Sequence, residues 1–322
     1  MNHPKPKILI SACIEHSPVR FDATTISSQV IKDLKELVQF VTVCPEMAIG
    51  MPAPRDTIRL TQAKGEDLRL VSSVEGVDFT EKMQTFSKNY VDKTLSKDFD
   101  GFVLKAKSPT CGTDKIKVYS GTGKSQPLGS VPNGMFADVI VNQYVNHPIE
   151  SERRLSNFSI REHFFIRVFT TARFKEIKYK PMKHLVNFHS THKYLFMGFN
   201  QSIMKSMGNV VANHNKLALE EVYDAYYELL LNLLKSPASK EKRINVLTHI
   251  YGYFKDQLTD AEKAYYFETQ NDYLQSHIPY SGPLRILKGF AIRFNQQYLL
   301  DQIVFEPYPK QLVTQLDSGK KV

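Results

Sequence analysis

The sequence predicts a wound, mostly parallel, Rossmann-like α/β domain followed by an all-α helical domain. In the first half, apolar runs of strand length alternate with segments of helical periodicity, the pattern of parallel βαβ units. From Pro181 onward apolar residues recur almost continuously at steps of three and four, broken only at Ser236-Pro237-Ala238-Ser239, Leu258-Thr259-Asp260 and Ser281-Gly282-Pro283. A chain of 322 residues also exceeds the usual size of a single core. The expected division is 1–150 for the α/β domain, 151–180 for a linking helix and basic segment, and 181–322 for the all-α domain.

Taken in order, Lys7–Ile14 reads as a buried strand, Thr25–Phe40 as a helix with Ile26, Val30, Leu34 and Leu37 on one face, and Phe40–Val43 as a second strand. Thr57–Leu60 and Leu68–Ser73 alternate like edge strands or a hairpin. Asp78–Leu95 reads as a helix, the segment ending at Leu104 as a third core strand, Lys115–Tyr119 as a short strand and Gly134–Asn146 as a helix. Pro148 follows that helix and discourages its continuation, which closes the domain. Ser151–Arg173 reads as a helix. Lys183–Phe199, Leu217–Leu234, Lys240–Gln257, Thr259–Tyr273 and Leu284–Tyr298 supply the helices of the second domain.

The chain has three cysteines, Cys13, Cys44 and Cys111, and each follows a strand-like run. If those strands are parallel, the three thiols arrive at the carboxyl edge of one sheet, where open α/β sheets build their ligand sites. An odd number of cysteines argues against a disulfide framework. Three thiolates can hold a 4Fe–4S cluster with one iron left open, the condition for Lewis-acid rather than electron-transfer work. Glu46 and Ser108, set in Cys44-Pro45-Glu46 and Ser108-Pro109-Thr110-Cys111, would lie beside that iron. Buried structural thiols, or a zinc site completed by His16, use the same residues.

Charge is uneven. Residues 1–157 carry 20 Lys and Arg against 18 Asp and Glu, a balance of +2, whereas residues 158–322 carry 22 against 15, a balance of +7. The densest basic run holds Arg161, Arg167, Arg173, Lys175, Lys178, Lys180 and Lys183 against Glu162 and Glu176. A basic half is the electrostatic footprint of a polyanion partner. His189 and His192 share a helix face beside Lys193, and contact with RNA, metal binding or simple packing all fit that spacing. Gly121-Thr122-Gly123-Lys124-Ser125 ends like a phosphate-binding loop, but Val118 stands where its first glycine belongs and Pro127 follows, so no nucleotide cofactor is expected. No run is long enough for a membrane helix, and the N-terminus enters a strand without a signal peptide, which predicts a cytoplasmic protein.

Ser11-Ala12-Cys13, Cys44-Pro45-Glu46 and Lys107-Ser108-Pro109-Thr110-Cys111-Gly112 resemble the thiouracil desulfidase family in order and strand context across residues 5–148. The second half resembles the helical companion domain often fused to it, through Arg161-Glu162-His163-Phe164, Arg167-Val168-Phe169, His189 and His192-Lys193-Tyr194. The two-domain arrangement is similar to tRNA 4-thiouridine desulfidases. The resemblance implies that Cys13, Cys44 and Cys111 ligate a 4Fe–4S cluster whose open iron takes the substrate sulfur. It implies that Glu46 is a general acid/base activating water, that Ser108 assists it, and that uridine and sulfide are released without net electron transfer. Arg161 through Lys183, with His189, His192 and Lys193, would then dock tRNA. Desulfidation of free thiouracil or a thiolated nucleoside is the alternative, and a non-catalytic iron–sulfur sensor or zinc-binding protein is a further one.

Overall fold

The computed structural model of the chain describes residues 3–93 and 98–313. Residues 4–172 form one compact unit, and residues 173–310 with His3 form another. The strands of the first unit are β1 (Lys7–Ser11), β2 (Gln39–Val43), β3 (Ile58–Thr61), β4 (Arg69–Ser72), β5 (Gly101–Leu104), β6 (Ile116–Tyr119), β7 (Pro127–Val131) and β8 (Ile149–Ser151). Its helices are α1 (Gln29–Leu34), α2 (Pro45–Ala48), α3 (Thr80–Lys93) and α4 (Met135–Gln143).

The strands form two four-stranded sheets. One is wholly parallel, in the order β2-β1-β5-β8. The other is mixed, in the order β4-β3-β6-β7, with β3 and β6 parallel and the two outer pairs antiparallel. In β1 the side chains of Ile8, Leu9 and Ile10 are all fully buried, as a central parallel strand covered on both faces requires. Leu9, Leu60, Leu70, Met83, Phe102, Phe136 and Ile140 belong to one core cluster that joins both sheets to α3 and α4.

Several elements depart from the sequence reading. The helix expected over 25–40 is only α1, because residues before it are held extended: Glu15 N–H donates to the Ile26 carbonyl (3.0 Å) and Ile26 N–H to the Cys13 carbonyl (2.7 Å). The glycine segment 121–125 is a loop as read, that of the β6–β7 hairpin, but the strand β7 that follows it has no counterpart among the expected strands. The first unit runs past residue 150, because β8 pairs with β5 and α5 (Phe158–Ile177) begins within this unit. Gly101 at the head of β5 admits that packing: a Cβ there would lie 2.7 Å from Val168 Cγ1.

The second unit continues with α6 (Met182–Thr191), α7 (Lys193–Phe199), α8 (Gln201–Ala212), α9 (Leu219–Leu234), α10 (Lys240–Tyr251), α11 (Asp260–Leu274), α12 (Ser281–Arg293) and α13 (Gln297–Leu300). The helix expected over 183–199 is two, α6 and α7, meeting at His192, and α8 has no counterpart among the expected helices. Tyr223, Tyr226 and Tyr266 are fully buried and belong to the core of this unit. Among the described residues no helix is long and apolar enough to cross a membrane.

Candidate active site

The three cysteine-bearing loops leave neighbouring strands at one edge. β1 lies between β2 and β5, both parallel to it, and the register is level: Ser11 faces Val43 and Ile10 faces Val103. Cys13, Cys44 and Cys111 are all free thiols and line a single cavity of about 300 Å³ together with Glu46, Lys105 and Ser108. The sheet topology thus brings together residues up to 98 positions apart (Cys13 and Cys111).

Cys44 sits at the end of β2 and at the N-cap of α2, with Pro45 as the first helical residue. That turn folds the Glu46 carboxylate back into the cavity wall, where it is 9% exposed. Its Oε2 accepts from the Cys44 thiol (3.2 Å), and its Oε1 accepts from the Thr110 hydroxyl. Ser108 Oγ accepts from the backbone N–H groups of Thr110 (3.2 Å) and Cys111 (3.1 Å) and lies 2.8 Å from Thr110 Oγ1. With the Thr110 proton committed to Glu46, the Ser108 proton is the one shared between the two hydroxyls. The result is a hydrogen-bonded chain from Ser108 through Thr110 to Glu46. Ser108 also caps the turn to Cys111, the structural role that its position before Pro109 allowed. Thr110 was missed by sequence reasoning; the available signal was a hydroxyl residue between two candidates in one short loop.

The Cys111 loop is rigid for identifiable reasons. Gly112 N–H donates to the Ser108 carbonyl (2.9 Å), and a Cβ on Gly112 would run into Ile116 and lie 2.7 Å from that carbonyl oxygen. The first N–H groups of α4, which have no intrahelical acceptors, are taken by the same loop: Met135 donates to Pro109 (3.1 Å), Phe136 and Ala137 to Thr110 (3.0 and 2.9 Å). Gly134 donates to Gly112 (2.8 Å), and a Cβ there would sit 2.6 Å from the Pro109 carbonyl oxygen.

Burial, followed by the Glu46 charge, pushes the Cys13 thiol up to about 11 and the Cys44 thiol up to about 12, and raises the Cys111 thiol for the same two reasons. One carboxylate therefore acts on all three sulfurs. Thiolates in this setting need compensating positive charge, which metal centres provide. Among the described residues no three His, Cys, Asp or Glu side chains are arranged for a single metal ion. His16, the fourth ligand considered for zinc, has its Nδ1 2.7 Å from the Ile14 carbonyl and its ring edge-on to Phe40. Three free thiols lining one cavity are a donor set that an iron–sulfur cluster or a zinc ion can use.

The cavity adjoins a groove of about 830 Å³ that shares Thr57, Ile58, Ala106, Lys107 and Pro109 with it. Its wall carries Arg59, Lys107, Lys115, Lys117, Arg153 and Arg154 against Asp114. Lys107, Lys115, Lys117 and Arg153 are exposed, while Arg154 pairs with Glu150 (2.7 Å) and Arg59 reaches Gly123 O (3.0 Å) and Ser125 Oγ (3.3 Å) in the glycine loop.

The basic run expected to dock RNA is largely structural. Arg161 is buried and donates to the carbonyls of Leu155 (3.0 Å) and Ser156 (3.1 Å). Arg167 donates to the Asn146 carbonyl (2.6 Å), and its burial lowers its pKa to about 10; Arg173 is lowered to about 10 likewise and meets His3 (2.8 Å). The Lys175 Nζ is buried, and Lys178 pairs with Asp224 (3.0 Å). His192 is enclosed, stacked on Phe188 at 4.0 Å with Nδ1 2.8 Å from the Phe188 carbonyl, and burial pushes its pKa down to about 3. His189 bonds the Tyr226 hydroxyl (3.0 Å), so the histidine pair serves packing. Lys180 and Lys183 remain exposed and Lys193 partly so. Arg161 and Arg167 turn their charged ends to backbone carbonyls, and Lys178 turns its to an acid, rather than to solvent.

Residues 8–152 match the sequence model of the 2-thiouracil desulfurase family. Over those residues the chain is similar to 2-thiouracil desulfurases. It is by class a desulfidase. Residues 193–309 match a second family, described as a protein of unknown function, DUF1722. The chain is 26% identical over 148 residues to the uncharacterized protein YbgA of Escherichia coli, covering 45% of this chain and 88% of that one. To the uncharacterized protein YbbK of Bacillus subtilis it is 27% identical over 119 residues, covering 36% and 78%. A solved [4Fe–4S]-dependent thiouracil desulfidase aligns with a TM-score of 0.38 and 25% identity, over 47% of this chain and 93% of its own.

Proposed function

We propose that this desulfidase removes sulfur from 4-thiouridine in tRNA, using a 4Fe–4S cluster held by Cys13, Cys44 and Cys111. The cluster reading is supported by three free thiols at one sheet edge, in a chain that has no fourth cysteine. Such a cluster, when bound, supplies an open iron, a soft Lewis acid suited to a thiocarbonyl sulfur. The chain's own residues do the rest. Glu46 takes a proton from the attacking water, and Thr110 and Ser108 hold that carboxylate in one orientation. General-base catalysis of this kind contributes typically about 10²–10⁴-fold. Water adds oxygen to the carbon bearing sulfur, the carbon–sulfur bond breaks, and both water protons finish on sulfide and its surroundings, so no oxidant or reductant is consumed.

The observation that carries the tRNA reading is the basic groove opening from the thiol cavity. A free base offers such a groove nothing to neutralise, whereas a nucleic acid backbone offers a phosphate at every nucleotide. This moves the docking surface from the α5–α6 run to Lys107, Lys115, Lys117 and Arg153. Free thiouracil is the second reading, favoured by the description of the matched family. The test compares cluster-loaded protein on thiolated tRNA and on free 4-thiouracil over a salt series. A tRNA preference that fades with salt supports the proposal; equal rates on both, indifferent to salt, favour the free base.

A further inference from the structure

Lys105 follows β5 and lines the thiol cavity, yet the proposed reaction so far leaves it without a task. Its ammonium group is held in place twice: it donates to Glu152 Oε1 at 2.6 Å and to the Ala106 carbonyl at 2.9 Å. Glu152 uses its other oxygen on the Ala106 backbone N–H (2.9 Å), and the Lys105 backbone N–H donates to Ser11 Oγ (3.0 Å). Both side chains are largely enclosed, with 21% and 8% of their surfaces exposed. An ammonium group has three protons. Two are committed to protein acceptors, and the third has none among the described residues.

The other cations of the cavity are differently placed. Arg20 pairs with Asp22 (3.3 Å), Arg55 turns its Nη1 to the carbonyls of Val19 and Pro52 (3.1 and 3.0 Å) with no carboxylate clamping it, and Lys107 is exposed. Hydrolysis of a neutral thiocarbonyl yields a neutral uracil and a sulfur species that is anionic as it departs. The carbon–oxygen bond forms, the carbon–sulfur bond breaks, sulfur leaves with the electron pair and one water proton as hydrosulfide, and the other water proton goes to the Glu46 carboxylate. The cavity therefore has one anion to stabilise and, in Lys105, a largely enclosed ammonium with a proton to spare.

We propose that Lys105, clamped by Glu152, is a hydrogen-bond donor to the departing hydrosulfide, its third N–H directed to the sulfur that leaves the substrate. Glu152 is then a positioning residue: it fixes the ammonium and, through Ala106, the start of the loop that leads to Cys111. This inference rests on the desulfidase reading.

The experiment is an equilibrium titration of cluster-loaded protein with sodium sulfide in the absence of oxygen, followed by the visible absorption of the cluster and requiring no turnover. Loss of a charge-assisted hydrogen bond predicts sulfide binding weakened about tenfold or more in Lys105→Met. Lys105→Arg keeps the charge and binds within about threefold of the parent protein by the same reasoning. Because Lys105→Met leaves a buried carboxylate alone, the double variant Lys105→Met/Glu152→Gln removes both charges and carries the same expectation. Undiminished sulfide binding in either loaded variant, with iron content intact, overturns the proposal. A parent protein that binds sulfide in a Lys105-dependent way but desulfurises no thiolated base would instead overturn the functional reading alone.

Discussion

Thr110→Val tests the hydrogen-bonded chain directly. Valine keeps the branched shape and volume of threonine in a position with no exposed surface, and deletes only the hydroxyl. Glu46 Oε1 then loses its neutral donor inside the cavity wall, and Ser108 loses the acceptor for its proton. A hydrogen bond to a charged group contributes about 1.5–3 kcal/mol. If the orientation it provides is required in the transition state, kcat/KM falls by roughly 10- to 100-fold, at about 1.4 kcal/mol per decade. The assay is single-turnover desulfidation by anaerobically reconstituted protein, with iron and sulfide content measured on the same sample. Thr110→Ser restores the hydroxyl and most of the rate. A Thr110→Val protein that loads normally and turns over at the parent rate refutes the chain as a functional unit.

Gly112→Ala, by contrast, attacks the backbone of the Cys111 loop: its Cβ would meet Ile116 and the Ser108 carbonyl, so thermal unfolding shows a loss of about 1–3 kcal/mol and cluster loading drops. Reversing Lys115, Lys117 and Arg153 to glutamate lowers kcat/KM for thiolated tRNA far more than for free 4-thiouracil, and flattens the salt dependence by roughly 0.7–0.9 in log–log slope for each phosphate no longer neutralised. Arg161→Met leaves two carbonyls without their donor, so it lowers the melting temperature while tRNA affinity is unchanged. The cluster-free protein is also alkali-sensitive. Thiols raised above their ordinary value stabilise the fold fully below about pH 9, and that contribution is lost as pH rises towards their folded values of about 11 and 12. Urea titration between pH 7 and 10.5 reads this fall, and Cys44→Ser lessens it.

What was legible in the sequence follows from physical locality. Each of Cys13 and Cys44 directly follows an apolar strand, and three such strands in an alternating α/β pattern had to share a carboxyl edge once they were parallel. Glu46 was visible because it stands two residues after a cysteine, and Pro45 as the first residue of α2 returns its side chain to that cysteine. Thr110 and the Lys105–Glu152 pair were hidden. Their roles depend on contacts 64 and 47 residues apart, which no periodicity encodes. The α5–α6 cations misled for the opposite reason: composition counts charge, but not whether a guanidinium points at solvent or at a carbonyl such as that of Leu155 or Asn146. β8 escaped notice because three residues, Ile149-Glu150-Ser151, are too few to show alternation.

The measurement closest to the central claim is anaerobic reconstitution with iron and sulfide, followed by mass analysis of nucleosides from thiolated tRNA. A cluster on the three thiols predicts brown protein with about four irons per chain, the number in a 4Fe–4S cluster. It also predicts conversion of 4-thiouridine to uridine with one sulfide released per event, and loss of both in Cys13→Ser, Cys44→Ser or Cys111→Ser. Colourless protein, or uridine formation that survives removal of any one of the three cysteines, would contradict it.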